Sequence, residues 1–164
     1  RLGILVGDLA TDRDADRLSP WAPTVQLTTG GACHLEIPLV QKGWDKLALS
    51  QCDFLFIENV GNLVCPASFD LGEHLRVVLL STTEGDDKPG KYPKMFRTSQ
   101  ALVITKTDLL PYVPFQVKAA EQDARLVQPR LEVLSVSALQ GTGISDWCSY
   151  LEAERRRLLA NHHE

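Results

Sequence analysis

Short apolar runs alternate along this chain with longer stretches whose apolar residues recur at helical spacing. The runs at 2–6, 25–27, 54–57, 77–80, 102–104 and 131–136 are leucine-rich or β-branched and lack strict alternation. Such runs predict strands buried on both faces, as in a parallel sheet covered by helices. Between them, 12–18, 35–47, 92–98, 115–126 and 144–159 read as helices. Val117, Ala120, Ala124 and Val127 fall on one face, and Pro114 suits a first turn. In the last helix, started by Thr142 or Ser145, Trp147, Leu151 and Leu158 share a face. The polar, turn-rich segment 84–90 predicts an exposed loop. Strand–helix alternation predicts the α/β class: a doubly wound, mostly parallel sheet in three layers with right-handed crossovers. No internal repeat is visible, and 164 residues suit one such domain with its own core.

Charge adds little. A net charge of -4 gives no general reason to expect nucleic acid or an anionic membrane surface. The one basic cluster, Arg155-Arg156-Arg157, lies near the end of a predicted helix, where positive charge suits the macrodipole. No apolar run approaches the roughly 20 residues of a membrane span, and nothing resembles a signal peptide. The four cysteines are irregularly spaced, which predicts thiols in a reducing compartment, hence the cytoplasm, rather than a disulfide framework. Cys52 and Cys148 lie in apolar or helical contexts and are expected as core thiols, while His74, His162 and His163 receive no role. The chain opens on Arg1 directly into a predicted strand, so a fragment truncated at its amino terminus is expected.

Three loops carry candidate chemistry. The richest, Glu58-Asn59-Val60-Gly61-Asn62-Leu63-Val64-Cys65-Pro66, follows a predicted strand at the sheet edge where α/β proteins bind ligands. Upstream, Cys33-His34 follows a Gly30-Gly31 turn. A thiolate and an imidazole there suit a soft or borderline divalent ion, and Cys65 adds a third ligand if the two loops meet. Read without that convergence, the same pair is a partly buried cysteine and a helix-start histidine. Three ligands leave coordination positions for water, a small ligand or a second protomer, which suits a site that hands metal on. The third loop, Thr105-Lys106-Thr107-Asp108, ends another strand. Its aspartate can accept two hydrogen bonds from guanine, and the lysine stem can lie along the base. Ser137 and Ala138 follow the neighbouring strand, where backbone amides can meet the guanine O6. Taken alone, that segment is also a plain strand end and surface turn. Asp8 and Glu58 are the carboxylates best placed for Mg²⁺. Asp12 reads as a helix N-cap, and Asp14 and Asp16 as its acidic first turn.

The segments 7–15, 30–34, 56–73, 83–91, 105–111 and 137–143 together resemble the hydrogenase nickel-incorporation GTPase family over nearly the whole chain. Urease accessory GTPases are close relatives, but their Cys-Pro-His motif is not matched, because Ala67 follows Cys65-Pro66. The resemblance implies a GTPase domain that dimerises with GTP and delivers nickel in nickel-iron hydrogenase maturation. It implies nickel or zinc at Cys33, His34 and Cys65, and Asp14 and Glu58 near the attacking water. Asp8 would sit near Mg²⁺, and Lys106, Asp108, Ser137 and Ala138 would hold the base. Implied partners are other hydrogenase maturation proteins, the hydrogenase large subunit and a second copy of the chain; nucleic acid and membrane are not expected. Two departures stand out. Thr105 replaces the usual Asn of the base motif, and no Gly-rich loop ending in Gly-Lys-Ser/Thr occurs, Lys106 being the only lysine followed by Ser or Thr. The phosphate loop, with the first strand and helix of the fold, is expected upstream. This chain alone would then turn over little GTP. The alternative is a non-enzymatic metal-binding or partner-docking protein.

Overall fold

The structure is a computed structural model that describes residues 1–9, 13–47 and 52–161. It divides into two compact units, Arg1–His74 and Leu75–Glu164, each built on three parallel strands. In the first unit β1 (Leu2–Asp8) is central, with β2 (Thr24–Thr28) on one side and β3 (Phe54–Glu58) on the other. The register pairs Val6 with Gln26 and with Glu58. Helix α1 (Arg13–Leu18) precedes β2, and α2 (Ile37–Trp44) precedes β3. Leu5, Leu27, Leu35 and Val40 form the core between sheet and α2, with Val25, Leu55, Ile57 and Leu71 packed against it. Burying each of these aliphatic side chains is worth about 1.5–3 kcal/mol.

The second unit orders its strands β4 (Val77–Ser81), β5 (Ala101–Thr105), β6 (Glu132–Ser135). Central β5 is buried along Ala101–Ile104, which explains an apolar run without alternation. Short helices α3 (Lys88–Lys91) and α4 (Pro93–Thr98) follow β4, α5 (Val117–Val127) joins β5 to β6, and α6 (Ile144–Asn161) ends the described chain. Phe96, Ala120, Ala124 and Leu131 are fully buried there.

All six predicted strands form, with bounds shifted by a residue or two, and the α/β class with parallel strands is borne out. Several details differ. The predicted loop 84–90 runs into α3, because Pro89 falls in a first helical turn, where proline is tolerated since its missing N–H would have no partner there; Pro89 is buried. The helix expected from 35 begins at Ile37, with Pro38 in its first turn, and Leu35 is a core residue ahead of it. The expected Asp12 cap lies outside the described residues, as do His162 and His163. Cys148 was expected in the core but is exposed, since α6 buries none of its residues fully. Among the described residues no helix is long and apolar enough to cross a membrane.

Candidate metal centre and base-binding turn

Parallel pairing puts the loops after β1, β2 and β3 at one sheet edge. Because β1 separates β2 from β3, their loops must cross the end of the central strand to meet. Gly7 permits this. A Cβ there would lie 2.8 Å from the Leu35 side chain, so the bare backbone makes room for Leu35, the residue after His34. The turn before it uses Gly30 and Gly31, at φ 66° and 110°, conformations that favour glycine. Thr29 closes that turn by donating its hydroxyl to the Ala32 carbonyl at 2.7 Å.

The two asparagines of the loop after β3 join it to the Cys33-His34 segment. Asn59 Oδ1 accepts from the amides of Leu35 and Val60, both at 2.9 Å. Asn62 Nδ2 donates to the Cys33 carbonyl at 2.6 Å, while its Oδ1 accepts from the amides of Val64 at 3.0 Å and Cys65 at 2.8 Å. Cys65 then starts a short 3₁₀ turn, Pro66–Ser68, with proline at its first position. Phe69 follows and stacks on the His34 ring, centroids 3.7 Å apart and planes 13° from parallel.

These bonds gather Cys33 Sγ, a His34 ring nitrogen and Cys65 Sγ within 4.8 Å of one another. Among the described residues this is the one group of three or more such side chains whose ligand atoms converge. His34 Nδ1 lies 3.7 Å from Cys33 Sγ. Its Nε2 is buried without a hydrogen bond and stands 3.4 Å from Glu36 Oε1. Two sulfurs and an imidazole are a borderline-soft donor set, so the residues fit nickel or zinc.

One expectation changes. Cys33 and Cys65 are joined as a disulfide, with Cα atoms 6.1 Å apart, where four thiols were predicted; Cys52 and Cys148 remain thiols. A separation of 32 residues hides the fact that the two loops leave the same sheet edge. Metal ligation needs the reduced, deprotonated pair.

The carboxylates lie in the same unit. Asp8 and Glu58 are the last residues of β1 and β3, and Asp14 lies in α1, 3.6 Å from Arg17. Asp8 Oδ1 accepts from the Leu9 amide at 2.6 Å. Desolvation lifts the Glu58 carboxyl above the ordinary carboxylate range, and the like charges of Asp14 and then Asp8 push it the same way. Glu58 keeps contact with solvent, and the two neighbouring carboxylates add to the desolvation of its buried part.

In the second unit, Lys106 adopts φ 58°, the one described non-glycine residue at positive φ, in the turn after β5. The buried Thr82 hydroxyl donates to the Lys106 carbonyl at 2.8 Å, and the Thr107 amide donates to the Val136 carbonyl at 3.2 Å. Ser137 Oγ donates to Asp108 Oδ1 at 2.6 Å, and the Gln140 amide donates back to Ser137 Oγ at 3.2 Å. The turns holding Lys106-Asp108 and Ser137-Ala138 are therefore neighbours, and Asp108 is oriented with acceptor capacity to spare. The sequence reading missed Glu36, Phe69 and Thr82, and it named the asparagines without giving them partners. A glutamate two residues ahead of Pro38 at a helix start, and paired amides in one loop, are the traces they leave in the sequence.

Residues 1–135 match a family described as CobW/HypB/UreG, nucleotide-binding domain. The chain is 47% identical over 155 residues to hydrogenase maturation factor HypB of Azotobacter vinelandii, covering 94% of this chain and 51% of that protein. It is 45% identical over 153 residues to HypB of Escherichia coli K12, covering 93% and 53%. The chain thus spans about half the length of these curated relatives. The hydrogenase/urease maturation factor HypB of Helicobacter pylori J99 is 40% identical over 165 residues, with 98% and 68% covered. Among solved structures, HypB from Helicobacter pylori in complex with nickel superposes with a TM-score of 0.92 at 40% identity, over 95% of this chain and 75% of that one. HypB from Archaeoglobus fulgidus gives 0.85 at 37% identity, over 94% and 75%.

Proposed function

The chain belongs to the CobW/HypB/UreG nucleotide-binding family, and from that premise we propose that it is a nickel-binding, GTPase-type domain that assists nickel insertion during nickel-iron hydrogenase maturation. The observation that carries the reading is the convergence of Cys33, His34 and Cys65 within 4.8 Å. Nickel is the cargo, and zinc is the competing occupant by the same donor chemistry. Three protein ligands leave positions that a partner protein can take over, which suits transfer.

Nucleotide binding draws on the other turns. Asp108, oriented by Ser137, accepts from guanine; Lys106 lies along the base, and the amides at Ser137 and Ala138 meet O6. Asp8 would hold Mg²⁺, which would supply charge neutralisation at the phosphates, and Asp14 and Glu58 would orient the attacking water. Cys65 lies seven residues beyond Glu58 on one loop, so a change at the carboxylates on GTP hydrolysis is passed to a nickel ligand. We read 1–164 as one GTPase-type domain; the family match, over 1–135, includes residues of both units. The same reading assigns a cytoplasmic homodimer that meets other maturation proteins and the hydrogenase large subunit.

The test is nickel titration of the reduced chain against a competing chelator, with and without a non-hydrolysable GTP analogue and Mg²⁺. The expected result is one nickel site, weakened in Cys33→Ser and in Cys65→Ala alike, with an affinity that depends on nucleotide in the native chain and a residual affinity in Cys65→Ala that does not. No nickel binding by the reduced chain overturns the reading. Nickel binding with no nucleotide response in any form favours the non-enzymatic metal-binding alternative.

A further inference from the structure

Glu36 occupies the N-cap position of α2, yet its side chain makes no capping hydrogen bond. Glutamate is not among the favoured caps, so local helix chemistry does not account for it. Its carboxylate instead lies 3.4 Å from His34 Nε2, a buried nitrogen with no hydrogen bond. The opposite ring nitrogen, Nδ1, faces Cys33 Sγ at 3.7 Å. The His34 side chain is only 14% exposed, and Phe69 lies flat against its ring.

We infer that Glu36 is a positioning residue for the metal centre in the reduced chain: a small turn of its carboxylate, 3.4 Å from His34 Nε2, lets it accept the hydrogen bond that Nε2 lacks here, leaving Nδ1 as the nitrogen offered to the metal, while Phe69 stacks on the ring. The inference rests on the reading of Cys33, His34 and Cys65 as metal ligands. A neutral imidazole carries one N–H, and the hydrogen bond made by one nitrogen decides which nitrogen ligates. Glu36 Oε1 is the carboxylate oxygen that faces Nε2, at 3.4 Å, and tilting the ring out of its plane would break its stack on Phe69. Carboxylates that receive the second N–H of a ligating histidine raise its basicity, and losing one typically costs 10–100-fold in metal affinity.

The experiment compares the reduced native chain with Glu36→Gln and Glu36→Leu, using ¹⁵N-labelled histidine and Ni²⁺ as the probe. In the metal-free native chain the His34 Nε2–H resonance, assigned by its loss in His34→Ala, is expected downfield and slow to exchange. Glutamine keeps an acceptor, so Glu36→Gln retains that resonance and binds nickel within about threefold of native. Glu36→Leu loses the resonance and about 10–100-fold in affinity. Glutamine as damaging as leucine means that charge alone acts, and overturns the inference. So does an Nδ1–H tautomer, or a fast-exchanging Nε2–H, in the native chain, a result that needs no variant to fold. Absence of nickel binding in the native chain would sink the metal-site reading, and the metal-free resonance would still decide the role of Glu36.

Discussion

Replacing Asn62 with alanine removes the side chain that bonds the backbone of Cys33 and of Cys65 directly. Three hydrogen bonds are lost: one to the Cys33 carbonyl and two from the amides of Val64 and Cys65. At a net ~0.5–1.5 kcal/mol each, the sum lies between about 1.5 and 4.5 kcal/mol. The Cys33 and Val64 groups lie at the surface and regain water, so the low end, about 1.5–2 kcal/mol, is expected. If that energy holds the ligands together, nickel affinity of the reduced chain falls roughly tenfold, since ~1.4 kcal/mol is a factor of ten. Competition with a chromophoric chelator measures the affinity, and urea unfolding under reducing conditions measures the stability. Asn62→Asp keeps the acceptor for the two amides but sets a carboxylate against the Cys33 carbonyl, so it should be no better than alanine. An alanine variant within twofold of native affinity, unfolding at the native urea midpoint, would refute the stapling argument.

Gly7→Ala places a methyl 2.8 Å from the buried Leu35 side chain, and overpacking of this kind costs about 1–3 kcal/mol; thermal melts and nickel titration should show lower stability and weaker binding together. Glu58 has a raised pKa, so the fold binds its proton more tightly than the unfolded chain does, and stability is lost as pH rises from the ordinary value of 4.5 through the folded value. Glu58→Gln should therefore melt at or above the native temperature near pH 7 without Mg²⁺, the difference closing below about pH 4.5, and a lower melting point at pH 7 would contradict the carboxylate cluster. The unreduced, denatured chain should show two reactive thiols, Cys52 and Cys148, against four after reduction. In the native chain Cys148 should react with a thiol reagent before the half-buried Cys52, and four thiols without reduction would refute the Cys33–Cys65 pairing.

Apolar periodicity reports whether a segment is a strand or a helix and where it stops. That was enough to place Asp8, Cys33 and Glu58 in one unit, and Asp108 and Ser137 in the other, at or after the ends of strands whose parallel pairing brings the loops of each unit to one edge of its own sheet. The α/β class and the family were legible for the same reason: burial and loop chemistry repeat along the chain. Side-chain partners were not. That Asn62 reaches Cys33 across 29 positions depends on the strand order β2-β1-β3 and on Gly7 clearing the crossing. Nor does spacing along the chain reveal that Cys65 comes close enough to Cys33 to bond, that Glu36 turns from its helix toward His34, or that Thr82 holds Lys106 in a left-handed turn. The sequence by itself determined the elements and the edge at which they deliver their chemistry, because both are local properties of hydrophobic pattern and backbone preference. The tertiary structure decided which loops touch, because contact between segments depends on strand order and packing that no local pattern encodes.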